Sequence, residues 1–259
     1  MPRSMQKLSN DCGILIYNFP SHIDYSKIAE KCLAQCRRYL PNIPVMSIGS
    51  PITGADDHYD LDLPQQNKKV FGNQTRTWHN LARHLSFEIS PWYRTVVIDA
   101  DYMVMTDQLL KLFASDQQIM MHREWYDIAN DKVDVIKLGT SAIEMLWATV
   151  LKFDRTDQVQ EFFDLWQRVI KNYAYYAKLF GFSSQVIRND YAVSIALKQL
   201  LQFGSVDHCV VPWPIQTIRD NIEVVDMTLA NINFQDSKSK FTVNFDCHVL
   251  NKESLCNAC

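Results

Sequence analysis

Short apolar runs alternate with amphipathic stretches along most of this chain. Residues 13–18, GILIYN, make an apolar run of strand length. The stretch SHIDYSKIAEKCLAQCRRYL then sets Tyr25, Ile28, Ala29, Cys32, Leu33 and Cys36 at helical spacing, with Ser21 and Asp24 as the expected capping box. Pro41 and Pro44 stop that helix, and Val45 to Ile48 read as a second strand. Residues 49–73 are rich in Gly, Pro, Asp and Asn, hold no sustained period, and read as a long surface excursion. The spacing of Trp78, Leu81, Ala82 and Leu85 predicts a helix in QTRTWHNLARHLSF, and TVVID predicts a strand after the turn at Ser90 and Pro91.

The alternation continues. TDQLLKLF reads as a capped helical turn, and QQIMMHR and EMLWATVLKF as strands. In DQVQEFFDLWQRVIKNYAYY, Val159, Phe162, Phe163, Trp166, Val169, Ile170 and Tyr173 form one apolar stripe. NDYAVSIALKQLL reads as another helix, capped at Asn189, and FTVNF as a strand. Strands alternating with helices predict an α/β sandwich with a mostly parallel central sheet. No repeat, low-complexity tract or linker divides the chain, so a single domain is expected.

Composition narrows this little. At 259 residues and 47% hydrophobic, the chain can bury one substantial core. A net charge of −3 gives no bulk attraction to nucleic acid or anionic lipid. No apolar run approaches the ~20 residues of a membrane helix. Seven cysteines form no repeating frame and GILIY is too short for a secretory h-region, so a reducing cytoplasm is expected. Cys32 and Cys36 read as core, and the CxxC of Cys256 and Cys259, without a second pair at zinc spacing, as incidental at a frayed end.

The chemistry concentrates in VVIDADYMVMTD, where two aspartates follow an apolar strand. Ligands of open α/β sheets bind at the carboxyl ends of strands, where Asp99 and Asp101 would stand. Two carboxylates separated by the small Ala100 can turn toward one hard divalent cation and leave room for a diphosphate. The same residues also fit a strand end and a helix cap, with Asp107 as a further cap, and Asp-x-Asp alone does not decide between the two.

SPWYRTVVIDADYMVMTDQLLKLF resembles the DxD segment of the GT-A glycosyltransferases, in particular their retaining, glycogenin-like branch. YNFPSHIDYSKIAEKCLAQCRRYLPNIPVMSIG resembles that family's first strand, helix and second strand, and NFDCHVLNKESL its terminal segment. The resemblance spans roughly residues 13–252. It implies a Rossmann-like GT-A sandwich with a nucleotide-binding half at about 11–107 and an acceptor-binding half at about 108–252. It also implies transfer of a sugar from a UDP-sugar, with Mn2+ or Mg2+, to an acceptor hydroxyl. Asp99, Asp101 and His248 would hold the metal. Tyr17, Asn18 and Tyr25 would meet the nucleotide, Tyr25 by stacking on uracil, and Ala100, Arg83 and Lys252 would adjoin the diphosphate, with Arg76 the alternative to Arg83. Asp190 would face the sugar or acceptor and serve as base in an inverting reaction; it also suits an ordinary helix start. The chain departs from the family at LWATVLKF, where members carry Asn-x-Gly, so Trp147, Ala148 and Thr149 would reshape the sugar pocket. The step from His248 to Lys252 is short and lacks the family's glycine.

The acceptor is open: glycan, protein, small molecule, or a hydroxymethylated DNA base as in compact phage enzymes. DNA would require Lys68, Lys69, Arg76, Arg83 and Arg123 to gather at the cleft. Trp125 and Tyr126, in an expected loop, are candidates for acceptor contact. Two other classes compete. A sugar-phosphate nucleotidyltransferase would carry a glycine-rich loop after the first strand, and YNFPSHID has no glycine. A non-catalytic nucleotide-sugar-binding module would keep the fold without turnover.

Overall fold

The computed structural model describes residues 11–19, 23–61, 67–71, 74–78, 81–237 and 239–259, with 67–71 and 74–78 described in their backbone only. The chain opens with β1 (Cys12–Asn18), α1 (Tyr25–Tyr39), β2 (Val45–Gly49) and β3 (Asp57–Tyr59), then the hairpin β4 (Asn67–Phe71) and β5 (Gln74–Trp78). A 3-10 turn at Arg83–Leu85 runs into α2 (Ser86–Ile89), followed by β6 (Arg94–Asp99), β7 (Tyr102–Met103) and α3 (Leu110–Ala114). Next come β8 (Ile119–His122), β9 (Trp125–Asp127), β10 (Lys132–Asp134) and β11 (Trp147–Asp154), then α4 (Asp157–Lys171), α5 (Tyr173–Phe180) and α6 (Asn189–Leu200). The chain continues through β12 (Ile215–Ile218), β13 (Glu223–Met227), β14 (Ile232–Gln235), β15 (Lys240–Val243), β16 (Cys247–Val249) and α7 (Lys252–Ala258).

The central sheet has the order β3-β2-β1-β6-β11-β8. Its pairings are parallel from β3 to β6, and β11 alone runs against its neighbours, so the expected mostly parallel α/β sheet is found. Ile14, Leu15, Ile16, Val96, Val97, Ile98, Val150 and Leu151 are wholly buried there, because a sheet covered on both faces needs continuous apolar runs. Helix α1 packs on β1 and β7, and α6 on β11 and α4. A second sheet, β10-β9-β12-β16-β7, abuts the carboxyl edge of the first, and β13-β14-β15 form a separate meander. Among the described residues, no helix is long and apolar enough to cross a membrane.

Several expectations change. QTRTW is a strand, not the start of a helix: Thr75 and Thr77 alternate, and the segment pairs antiparallel with 67–71, placing two strands where a structureless excursion and a helix were expected. Helical turns begin only at Arg83. The stripe from Val159 to Tyr173 is broken at Asn172, whose Nδ2 donates to the Arg168 carbonyl at 2.9 Å and ends α4, so that Tyr173 starts α5. Helix α6 begins at Asn189 with Arg188 at its cap position and no side-chain cap bond. Helix α1 is capped by Asp24, which accepts from the Ser26 amide at 3.2 Å; Ser21 lies outside the described residues. Trp125 and Tyr126 belong to a strand rather than a loop. The terminal stretch with Cys256 and Cys259 is helical instead of frayed, because Asn251 caps it by accepting from the Ser254 amide.

Strand β6 carries different charges at its two ends, about 16 Å apart at strand rise. At its start, Lys152 is fully buried with Nζ 2.8 Å from Asp154, and Arg94 joins from 3.6 Å while donating to the Phe113 carbonyl. Burial lowers the pKa of Lys152 and raises that of Asp154, and each charge partly offsets the other's shift. Beyond its far end, the buried Asp246 accepts from the amides of Met105 and Thr106, both at 2.7 Å, and from Thr106 Oγ1 at 2.9 Å, fixing the exit from β7. Burial pushes its carboxyl up to about 6 despite those bonds.

Two outcomes follow. Lys152→Ala leaves Asp154 buried with only the more distant Arg94, and should cost about 3 kcal/mol in urea unfolding; a loss within experimental error would show that the pair contributes nothing. Asp246 is protonated more readily folded than unfolded, so its contribution is complete below about pH 4 and is lost as pH rises through about 6. Wild-type stability relative to Asp246→Asn should therefore fall by roughly 2–3 kcal/mol between pH 4 and 7, and equal slopes would contradict the assignment.

Candidate active site

The site forms where both sheets end. Strand β6 delivers Asp99 beside Tyr17 of β1, and the chain turns at the buried Ala100 and Asp101 into β7. Strand β7 pairs antiparallel with β16, setting Tyr102 opposite His248, while the Val249 amide donates to the Asp101 carbonyl at 3.0 Å. This two-residue ladder brings His248 Nε2 to 3.5 Å from Asp101 Oδ1. Ligand atoms of Asp99, Asp101 and His248 all lie within 4.8 Å of one another.

Cations meet this cluster. Lys252, the first residue of α7, pairs through Nζ with Asp101 Oδ2, and its ammonium lies 5.9 Å from the ring of Tyr25. Arg83, from the 3-10 turn, pairs with Asp99. Burial alone would raise the pKa of Asp101, yet Lys252 and His248 hold its carboxyl far below the usual range. Burial works to lower Lys252, but Asp101 keeps its pKa above that of an ordinary lysine. Arg83 shifts down on burial, opposed chiefly by Asp190 and Asp101.

Two carboxylates and an imidazole suit a divalent cation such as Mn2+ or Mg2+. The surroundings fit as well: Asp101 Oδ1 and the ring nitrogens of His248 are buried without a hydrogen bond, and in its neutral form the imidazole keeps one nitrogen lone pair that an ion would satisfy.

The other predicted residues take definite places. The hydroxyl of Tyr17 is 2.8 Å from Ser86 Oγ and donates to the Ala82 carbonyl at 3.3 Å, bracing the segment that carries Arg83. Burial raises its pKa. Asn18 donates through Nδ2 to the Ser50 carbonyl at 3.3 Å, closing the loop after β2. That loop requires Gly49, at φ +91°, where a Cβ would strike the Asn18 carbonyl. Asp190, in the first turn of α6, accepts from the Ala148 amide at 3.0 Å and lies 3.5 Å from Arg188. Trp147 sets its ring edge-on to His248, centroids 6.2 Å apart, and meets Trp125 at 6.4 Å. Tyr126 donates its hydroxyl to Asp131 at 2.5 Å.

Arg123 is engaged by Asp207 at 2.6 Å and Glu144 at 3.4 Å. The side chains of Lys68, Lys69 and Arg76 lie outside the described residues. Of the two cations for a DNA acceptor whose side chains are described, Arg83 is placed at the acidic cluster and Arg123 is not.

Sequence reasoning missed three supports. Asp246, two residues before His248, carries a pattern signal only as an acid inside an apolar strand end. The role of Tyr17 as a brace depends on Ser86, 69 residues away. Asp127, fully buried, accepts from the amides of Ala129 and Asn130 and holds Arg219 at 2.5 Å, which sets that guanidinium 5.1 Å from the ring of Trp125.

No protein-family profile matches the sequence, and no curated protein matches it. Among solved structures, the glycosyltransferase GlyE of Streptococcus pneumoniae TIGR4 is similar at 13% identity and a TM-score of 0.46, over 78% of this chain and 45% of its own. The galactosyltransferase LgtC, in complex with donor and acceptor sugar analogs, is similar at 14% identity and a TM-score of 0.45, over 71% and 70%. The bifunctional glycosyltransferase WbbM is similar at 12% identity and a TM-score of 0.41, over 62% and 35%. The chain thus spans less than half the length of GlyE and WbbM. Likenesses at this level leave family and activity to the chemistry of the site.

Proposed function

We propose that this protein is a metal-dependent glycosyltransferase of GT-A type that moves a sugar from a UDP-sugar to an acceptor hydroxyl. The observation that carries the reading is the convergence of Asp99, Asp101 and His248 with Lys252 and Arg83 at the carboxyl edge of a mostly parallel sheet. Mn2+ or Mg2+ bound by the first three would supply Lewis-acid stabilisation of phosphate oxygens. Residues 11–107 form the nucleotide half and residues 108–252 the acceptor half.

The chain's own residues divide the remaining work. Lys252 and Arg83 hold fixed positive charge where the diphosphate negative charge grows as the anomeric C–O bond breaks. Tyr25 offers its ring to uracil, Asn18 fixes the loop beside the nucleotide, and Ala100 leaves space between the acids. Trp147, Ala148 and Asp190 line the sugar side, where the Ala148 amide holds the carboxylate of Asp190 in place. The acceptor oxygen bonds to the anomeric carbon from the leaving-group face, and its proton passes to the departing phosphate oxygen, so retention needs no separate base. For inversion, Asp190 would take that proton.

Calorimetry gives the first check: UDP should bind with Mn2+ present and lose at least about tenfold in affinity after chelation, about 1.4 kcal/mol. UDP affinity indifferent to metal would remove the assignment. Asp101→Asn should abolish sugar transfer while circular dichroism still shows the native fold, with thermal unfolding lowered because Lys252 loses its counter-charge, and an active Asp101→Asn enzyme would likewise remove the assignment.

A further inference from the structure

The meander β13–β15 is inserted between β12 and β16, two strands that pair directly, Thr217 beside His248. Its polar contacts run to the two helices that frame the lysine of the site. Ser254 Oγ accepts from the Val224 amide at 2.5 Å and donates back to the Val224 carbonyl at 3.1 Å. Asn251, the cap of α7, donates through Nδ2 to the Ile222 carbonyl at 2.9 Å and accepts from the Ser254 amide at 3.1 Å. On the other side, Lys31 Nζ donates to the Met227 carbonyl and the Tyr39 hydroxyl to the Leu229 carbonyl, both at 3.1 Å. The meander therefore ties α7 and α1 together, and these helices begin with Lys252 and Tyr25.

Lys252 sits between the two clamped residues, Asn251 and Ser254. A lysine side chain has a flexible four-carbon stem and loses rotamer freedom when held at one point, so the backbone beneath it must itself be fixed. Helix α7 is seven residues long, too short to hold its shape by helix propensity, and takes its position from what it docks on. We infer that Ser254 is a positioning residue of the proposed transferase: by fastening the first turn of α7 to Val224, it sets the Lys252 ammonium against Asp101 and so beside the diphosphate. The inference rests on the proposed function for the diphosphate, and on the hydrogen bonds alone for the placement of Lys252.

Two measurements on the full chain separate these layers. With Mn2+ present, the ratio of the UMP dissociation constant to that of UDP reads the contact of Lys252 with the second phosphate. Ser254→Ala should lower this ratio about fivefold, the equivalent of one lost hydrogen bond, and shift UMP affinity less than about twofold; Ser254→Thr, which keeps the hydroxyl, should restore it. In parallel, acetylation of Lys252 by an N-hydroxysuccinimide ester, followed by peptide mass spectrometry, reads the placement of the lysine without any nucleotide. It should speed up severalfold in Ser254→Ala and stay at the wild-type rate in Ser254→Thr. Equal loss of UMP and UDP affinity, or unchanged acetylation in Ser254→Ala, overturns the clamp. Should Ser254→Ala fail to fold, Ser254→Cys, whose thiol is a weaker donor and acceptor without added charge, is read the same way. If UDP fails to bind the wild type, the transferase reading falls, and the acetylation rates still decide the clamp.

Discussion

Burying a carboxylate costs several kcal/mol unless a cation and hydrogen bonds surround it, and the arrangement around Asp101 is ordered by that constraint. Asp101 is 2% exposed, at the turn between the two sheets. Neither neighbour along the chain can neutralise it: Ala100 is apolar and Tyr102 is buried in the ladder. Compensation has to come from far away, and the second sheet supplies it by pairing β16 with β7 and directing α7 back across the turn. Asp99 meets the same demand through Arg83, whose turn is braced by Tyr17. The cations nearest the acids are thus a condition of the fold as well as part of the proposed site.

The two poles of β6 show how similar residues serve different ends. Lys152, Asp154 and Arg94 pair with one another, and Lys152 and Arg94 also donate to backbone carbonyls. At the other pole the acids are paired as well, and the imidazole of His248 joins them. Donor chemistry separates the two: His248 stands with two carboxylates at one pole, whereas the other holds a buried carboxylate between two cations. Beside the site, Trp147 and Trp125 continue inward from His248, with the guanidinium of Arg219 over the ring of Trp125.

Much of the central sheet was legible because its strands are local facts. GILIYN, VMSIG and RTVVID are apolar runs, and their strand identity does not depend on a distant partner. Helix α1 and most of α4 declared themselves through spacing. The failures share one cause, since Gln74–Trp78 reads as helix or strand until Asn67–Phe71 is seen pairing with it. Helix α7 was invisible for the same reason: its seven residues carry little periodicity and depend on docking to β13. In the site, Asp99 and Asp101 stood out as charges ending an apolar run. His248 and Lys252 were reached by resemblance, whereas Asp246, Ser254 and the bracing role of Tyr17 were not, because these depend on hydrogen bonds to residues that no local pattern connects.

The ion pair of Asp101 with Lys252 joins residues 151 positions apart. Contacts of such separation close late, since the entropy of a long loop must be overcome before they form. While the chain is being synthesised, the strand bearing Asp99 can pair with β1 long before α7 exists, and during that interval Asp101 lacks its counter-charge. The turn can then complete only as the last helix docks. Any metal affinity of the acidic turn is thereby tied to completion of the fold, which makes a divalent ion, added during refolding, a reporter of the final docking event rather than of early collapse.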